Sequence, residues 1–220
     1  MSKTIAIIPA RGNSKRLPGK NLLPLNGLPL IAHSIIFAKA NSAIIDEVYV
    51  STDCAKIKEV ALMYGAKVID RPLHLSGDLE PTVSALKHVL ENIKTVDLVV
   101  VLQPTNPLRP ESLLRETFEI YKSKNADSLF TVSRNHQKFG KIVDSRYRPF
   151  NYKFGQRSQD LEPLYFENGL LYISKAELIL KEIILSKDAV PFIVDHPFAK
   201  VDIDTQEDFD YAEYVFGRRL

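Results

Sequence analysis

Four cations crowd into one loop of this chain. The stretch Pro9-Ala10-Arg11-Gly12-Asn13-Ser14-Lys15-Arg16-Leu17-Pro18-Gly19-Lys20-Asn21 carries Arg11, Lys15, Arg16 and Lys20. Gly12 and Gly19 let the backbone turn tightly and approach a ligand with no Cβ in the way. Backbone N–H groups and cations together make a cradle for polyphosphate. Arg grips phosphate through a two-pronged fork, while Lys acts as a point charge. The spacing is not that of a Walker A loop. Six residues separate Gly12 from Gly19, and Asn21 follows Lys20 where that motif needs Ser or Thr. It is not G-x-G-x-x-G either. A solvated basic loop and a nucleic-acid contact are the competing readings. The loop directly follows the apolar run Ile5-Ala6-Ile7-Ile8. Open α/β sheets bind ligands beyond the carboxyl ends of their strands, so this placement favours phosphate.

A second group lies at the other end of the chain, in Val201-Asp202-Ile203-Asp204-Thr205. In extended chain Asp202 and Asp204 share one face and Ile203 takes the other. Two close carboxylates repel each other unless a cation or proton joins them. Mg²⁺ prefers oxygen ligands and usually binds one or two carboxylates plus substrate phosphates. The pair therefore suits a Mg²⁺ site beside a triphosphate. On the alternative reading, Asp204 or Thr205 caps the final helix, with Glu207 and Asp208 stabilised in its first turn.

These groups need a frame to bring them together. Short apolar runs at 5–8, 48–50, 67–69, 98–102, 129–132, 170–173 and 192–194 read as strands. Amphipathic stretches at 29–40, 56–64, 81–93, 111–122, 175–182 and 206–216 read as helices. Gly65 stops one helix and Pro81 opens another. The continuous run Leu98-Val99-Val100-Val101-Leu102 suits a strand buried on both faces. The alternation predicts an α/β, Rossmann-like fold: a mostly parallel sheet with helices on both faces. The rhythm breaks over 134–168, a stretch rich in Arg, Lys, Tyr, Phe and Asn. That segment reads as an insertion into one nucleotide-binding domain made of 1–133 and 169–220.

Bulk properties set limits. With 220 residues the chain can bury a substantial core. Apolar residues make up 45% and charged residues 25%, as in ordinary globular proteins. A net charge of +2 gives no nucleic-acid signature, so no nucleic-acid partner is expected. The lone cysteine, Cys54, permits no internal disulfide and fits a reducing cytoplasm. The run at 5–8 is too short for a signal-peptide core, and no run reaches membrane-spanning length. His33, His74, His88, His136 and His196 form no cluster in the sequence.

The chain resembles the CMP-sialic acid synthetases (acylneuraminate cytidylyltransferases). The resemblance is carried by residues 8–21, Ser51-Thr52-Asp53, Arg71-Pro72, Leu102-Gln103-Pro104-Thr105-Asn106-Pro107-Leu108-Arg109, Glu167-Asn168-Gly169 and Asp202-Ile203-Asp204-Thr205, in the family's order. It implies that CTP and an acidic nine-carbon keto sugar, such as sialic or legionaminic acid, give CMP-sugar and pyrophosphate. Arg11 and Lys20 would hold the triphosphate with help from Lys15, against Ala10 and Gly12. Asn21 would meet the ribose, and Arg71 and Thr82 the cytosine. Gln103 and Thr105 would face the sugar. Lys141, Arg157 and Arg134 are candidates for its carboxylate. Asp202 and Asp204 would carry Mg²⁺. The resemblance also implies a homodimer, with 134–168 as the dimerisation segment. Two positions depart from the pattern. Asn13 stands where Gly is common, and Asn tolerates left-handed backbone. Glu167 stands in a segment where sialic-acid-specific members often carry Arg. A CMP-Kdo-type synthetase acting on an eight-carbon acid, or a nucleotide-binding module without catalysis, would share the fold.

Overall fold

The computed structural model describes residues 3–218. Strand β1 (Thr4–Pro9) runs into the basic loop. A small hairpin of β2 (Pro24–Leu25) and β3 (Leu28–Pro29) leads to helix α1 (Leu30–Ala40). Then come β4 (Glu47–Thr52), α2 (Ala55–Met63), β5 (Lys67–Asp70), α3 (Thr82–Glu91), β6 (Leu98–Val101) and α4 (Leu113–Ser123). Strand β7 (Ser128–Asn135) is followed by a hairpin of β8 (Gly140–Val143) and β9 (Arg146–Pro149), which forms its own two-stranded sheet. The chain ends with β10 (Leu164–Lys175), α5 (Ala176–Leu180), β11 (Val190–Ile193) and α6 (Gln206–Gly217).

Seven strands form the main sheet in the order β11-β7-β10-β6-β1-β4-β5. Strand β10 alone runs against its neighbours β6 and β7; the other neighbouring pairs are parallel. The mostly parallel α/β architecture matches the sequence pattern. From β1 the chain steps outward to β4 and β5, then returns to β6 on the other side of β1. That reversal opens a crevice beyond the ends of β1 and β6, the usual ligand position in such sheets.

The alternation of side chains explains why helices cover both faces. Ala6 and Ile8 of β1 join Ile31 and Ile35 of α1, Ile57 of α2 and Leu114 of α4 on one face. Ile5 and Ile7 join Leu86 and Val89 of α3 and Ile179 of α5 on the other. A third cluster lies at the sheet's ligand edge. There Leu17 of the basic loop packs with Leu25, Leu108, Val201, Ile203 and Phe209. Among the described residues, no helix is long and apolar enough to cross a membrane.

Two elements differ from their expected limits. Strand β10 begins at Leu164 rather than near residue 170. Tyr165, Phe166 and Glu167 are exposed, so the apolar periodicity marks only the buried part of the strand. Helix α5 spans five residues, because Glu182 adopts φ 62° and ends the helical path.

Within β10 the register shifts between Glu167 and Tyr172. Gly169 sits in this irregularity at φ 74°, and a Cβ there would lie 2.6 Å from Asn106 Oδ1. Gly169→Ala should therefore destabilise the protein by about 1–3 kcal/mol in urea denaturation. A loss below about 0.5 kcal/mol would show that Asn106 moves aside freely, against its role as a fixed strut.

Candidate active site

The basic loop is shaped by contacts with β4 and with its own far end. Ala10 N donates to Ser51 O at 2.9 Å, continuing the β1–β4 ladder past the strand end. Gly12 N donates to Asp53 Oδ1 at 2.8 Å. A Cβ at Gly12 would meet Cys54 Cβ at 2.7 Å, so only glycine fits this close approach. Asn21 Nδ2 donates to Arg11 O at 2.9 Å and closes the loop across its base. The left-handed turn falls at Gly19, φ 68°, and Asn13 is not among the residues of positive φ. Gly19 launches the 3₁₀ turn Lys20–Leu22, which buries Lys20 and Asn21.

The loop's cations meet acids from distant parts of the chain. Lys20 Nζ, only 9% exposed as a residue, donates to Ile203 O at 2.8 Å and to Asp204 Oδ1 at 2.9 Å. Arg16 Nη2 pairs with Asp204 Oδ2 at 2.6 Å. Arg11 Nη1 pairs with Asp78 Oδ1 at 2.9 Å, and Lys15 contacts the same carboxylate. Residues 11 and 204 thus line one cavity, of 510 Å³.

The helix-cap alternative holds for Thr205. Thr205 caps α6 in a capping box with Asp208. Asp208 Oδ2 also accepts from Asp204 N at 3.0 Å. The carboxylates of Asp202 and Asp204 take no part in this cap. Asp202 reaches solvent along the cleft, yet the protein around its carboxyl pushes its pKa up. Thr105 opposes that shift, and the like charge of Asp204 adds to it. A cation between the two carboxylates would relieve the strain. Among the described residues, no three His, Cys, Asp or Glu side chains gather into a self-sufficient metal site. Carboxylate oxygens suit a hard divalent cation that completes its shell with phosphate oxygens and water, with Asp204 shared between that ion, Lys20 and Arg16.

Most of the predicted residues converge. Arg11, Lys15, Lys20, Asn21, Arg71, Thr82, Gln103, Thr105 and Asp204 all line the cavity. Ala10 and Gly12 lie behind it in the loop backbone. Asp202 adjoins it through Ile203, whose N–H donates to Thr105 O at 2.8 Å. Lys141 and Arg157 are not in its lining. Lys141 lies over the Phe150 ring within the β8–β9 hairpin, 5.9 Å from its centroid. Arg157 pairs with Asp160, with Nε 2.7 Å from Oδ2. Arg134 is exposed on β7.

Several motif residues position others. Arg71, buried, donates from Nε to Ser51 Oγ at 3.0 Å and from Nη2 to Ser51 O at 2.7 Å. Burial lowers its pKa, Asp53 opposes the shift and Arg11 adds to it. Asn106 Nδ2 donates to Asn168 O and to Val201 O, both at 3.0 Å, so it ties the β10 irregularity to the strand-like run before Asp202. Tyr172 OH donates to Glu167 Oε1 at 2.5 Å. Burial and Glu167 push the phenol's pKa up, and the charge of Asp202 adds to this. The positional roles of Ser51, Asn106 and Tyr172 escape sequence reasoning, because each depends on a partner far away in the chain. Asp78 was missed for the same reason.

A sequence model described as cytidylyltransferase matches residues 5–218. The chain belongs to the cytidylyltransferase family. It is 35% identical over 215 residues to an N-acylneuraminate cytidylyltransferase of Streptococcus agalactiae, a match that takes in 94% of this chain and 52% of that protein. The chain thus spans about half the length of that relative. It is 35% identical over 228 residues to a CMP-N,N'-diacetyllegionaminic acid synthase of Legionella pneumophila, covering 96% of this chain and 95% of the relative. A pseudaminic acid cytidylyltransferase of Campylobacter jejuni is 33% identical over 224 residues, covering 97% and 96%. Among solved structures, CMP:2-keto-3-deoxy-manno-octonic acid synthetase complexed with CTP superposes with a TM-score of 0.74. That likeness covers 100% of both chains at 19% identity, and it concerns the fold.

One cytidylyltransferase motif residue serves as an internal strut. Arg109 is buried and donates to Leu170 O at 2.7 Å, Ser34 Oγ at 3.0 Å and Gln103 O at 2.8 Å. Burial pushes its pKa down to about 9. Arg109→Ala leaves these acceptors without their donor, while relieving the burial of a charge. The net loss of stability should be about 2–4 kcal/mol in chemical denaturation. An unchanged midpoint would refute the strut.

Proposed function

We propose that this chain transfers CMP from CTP to the anomeric hydroxyl of a nonulosonic acid. The anomeric oxygen bonds to the α-phosphorus, the bond from that phosphorus to the bridging oxygen breaks, and pyrophosphate leaves. The hydroxyl proton is released. The observation that carries this reading is the single cavity holding Arg11, Lys15, Lys20, Gln103 and Asp204 in a cytidylyltransferase-family chain. Relatives with 33–35% identity whose names specify N-acylneuraminate, pseudaminic or diacetyllegionaminic acid support the sugar class.

Transfer of this type depends on positioning and on neutralising charge at phosphate. Lys20 has three N–H donors, and Ile203 O and Asp204 occupy two of them. One is left for a phosphate oxygen. Arg11 supplies a guanidinium from the opposite side of the loop. Arg71, fixed by Ser51, and Thr82 at the start of α3 bound the end assigned to the base. Gln103 and Thr105 bound the end assigned to the sugar. Asp202 and Asp204 would hold Mg²⁺, which neutralises triphosphate charge when bound.

The decisive assay supplies CTP, Mg²⁺ and a panel of keto acids, and reads CMP-sugar by mass. One or more nine-carbon acids should give product, and an eight-carbon acid should not. Failure of every nine-carbon acid would sink the assignment. Product from the eight-carbon acid alone would favour the CMP-Kdo-type reading, and CTP binding without turnover a nucleotide-binding module. Arg11→Ala should cut turnover by about a hundredfold or more, as loss of one charge-stabilising donor does elsewhere. Asp202→Asn should weaken the response to Mg²⁺. An unchanged titration would separate Asp202 from the metal.

The working form proposed is a cytoplasmic homodimer. Ile142, Tyr147, Phe150 and Phe154 are exposed on and beside the β8–β9 hairpin, an apolar surface suited to a second copy. Such pairing would carry Lys141 and Arg157 toward the partner's cavity. Light scattering should give twice the chain mass. A monomer with full turnover would refute the pairing.

A further inference from the structure

Each of two aspartates clamps two of the loop's four cations. Asp204 takes Arg16 and Lys20. Asp78 takes Arg11 and Lys15. Asp204 belongs to the acidic pair already assigned to metal. Asp78 has no such assignment, and it stands in the connection between β5 and α3.

That connection begins with Arg71 and ends at Thr82, the residues placed at the base. Its middle forms a wall of the cavity through Leu75, Gly77, Asp78 and Glu80. Gly77 O accepts from Arg11 Nη1 at 3.0 Å, beside the Asp78 carboxylate at 2.9 Å. One guanidinium nitrogen is thus held by two oxygens of the same turn. The Lys15 ammonium, with Arg11, holds the Asp78 carboxyl below its usual range, so it is a full negative charge at neutral pH. This carboxylate presents oxygens to Arg11 and Lys15 just as a phosphate would.

We propose that Asp78 is an internal competitor for the phosphates of substrate and product. The inference rests on the reading of Arg11 and Lys15 as phosphate ligands. The Asp78 carboxylate takes donors of both cations and repels a phosphate brought up to them, so the two anions compete. Phosphate entry therefore displaces Asp78, and Asp78 retakes Arg11 and Lys15 as pyrophosphate leaves. The exchange keeps a strongly cationic loop from holding its product too tightly. It also links the phosphate end of the cavity to the connection that carries Arg71 and Thr82.

Calorimetry with pyrophosphate and Mg²⁺ tests this directly, without turnover. The Kd for pyrophosphate should fall about three- to tenfold in both Asp78→Asn and Asp78→Ala, the scale set by two partly exposed ion pairs. Product inhibition by pyrophosphate should strengthen by the same factor, and Asp78→Glu should restore the unmodified value. An unchanged or higher Kd in the Asn and Ala variants would overturn the competitor role and leave Asp78 as scaffolding that orients Arg11. If Arg11→Ala binds pyrophosphate as well as the unmodified protein, the phosphate reading of the loop falls, and this proposal falls with it.

Discussion

The structure turns on one buried ammonium. Lys20 lies in the first loop of the chain, and its two fixed acceptors, Ile203 O and Asp204 Oδ1, lie 183 and 184 residues later. A charge with this little exposure needs partners of good geometry. Apolar packing supplies the geometry. Leu17 and Ile203 belong to one cluster, so apolar burial holds the loop against the acidic run in addition to the charge pairs. Alternation in the extended run sends Ile203 inward and leaves Asp202 and Asp204 at the cleft. One hydrophobic residue between two acids therefore fixes both the core contact and the chemistry.

The same economy appears in the other motifs. Asn106 joins the loop after β6 to the β10 irregularity and to Val201. Arg109 joins α1, the Gln103 carbonyl and β10. Ser51 receives Ala10 on one side and Arg71 on the other. Groups expected to bind substrate are thus held by buried polar side chains on neighbouring elements. A half-satisfied network of this kind is costly, while a complete one fixes a single arrangement. Rigid placement is what a reaction without covalent catalysis requires of its protein.

Much of this was legible in the sequence, for identifiable reasons. Runs such as 5–8 and 98–102 are buried on both faces, and continuous apolar character marks them as strands. The loop after β1 announced itself by charge and glycine spacing. The acidic run leaves metal and cap open, and the structure gives the cap to Thr205 and Asp208. Strand β10 was read short because its first residues are exposed on the hairpin side, where no apolar pattern is needed. Asp78 was invisible for another reason. Its meaning comes wholly from Arg11 and Lys15, more than sixty residues earlier, and nothing local in Gly77-Asp78-Leu79 signals an ion pair.

The regions around the cavity are built by different means. The end proposed for phosphate and base rests on parallel strands β1, β4 and β5, with short connections tied down by Ser51, Asp53 and Asn21. Outside the cavity lining stands β10, the strand antiparallel to its neighbours, whose outer half carries Glu167 and leads to the exposed hairpin. Sequence change in the first region disturbs buried hydrogen bonds. Change at the exposed residues 165–167 of β10 leaves the buried, hydrogen-bonded residues from Asn168 onward in place. Relatives whose names specify different acids are 33–35% identical to this chain over nearly its whole length. On the function proposed above, the region of buried hydrogen bonds would serve the shared nucleotide and the exposed strand the differing acids. On that strand Glu167 is held by the Tyr172 hydroxyl, and the charge of Asp202 acts on the same phenol. A carboxylate there repels another carboxylate and accepts hydrogen bonds.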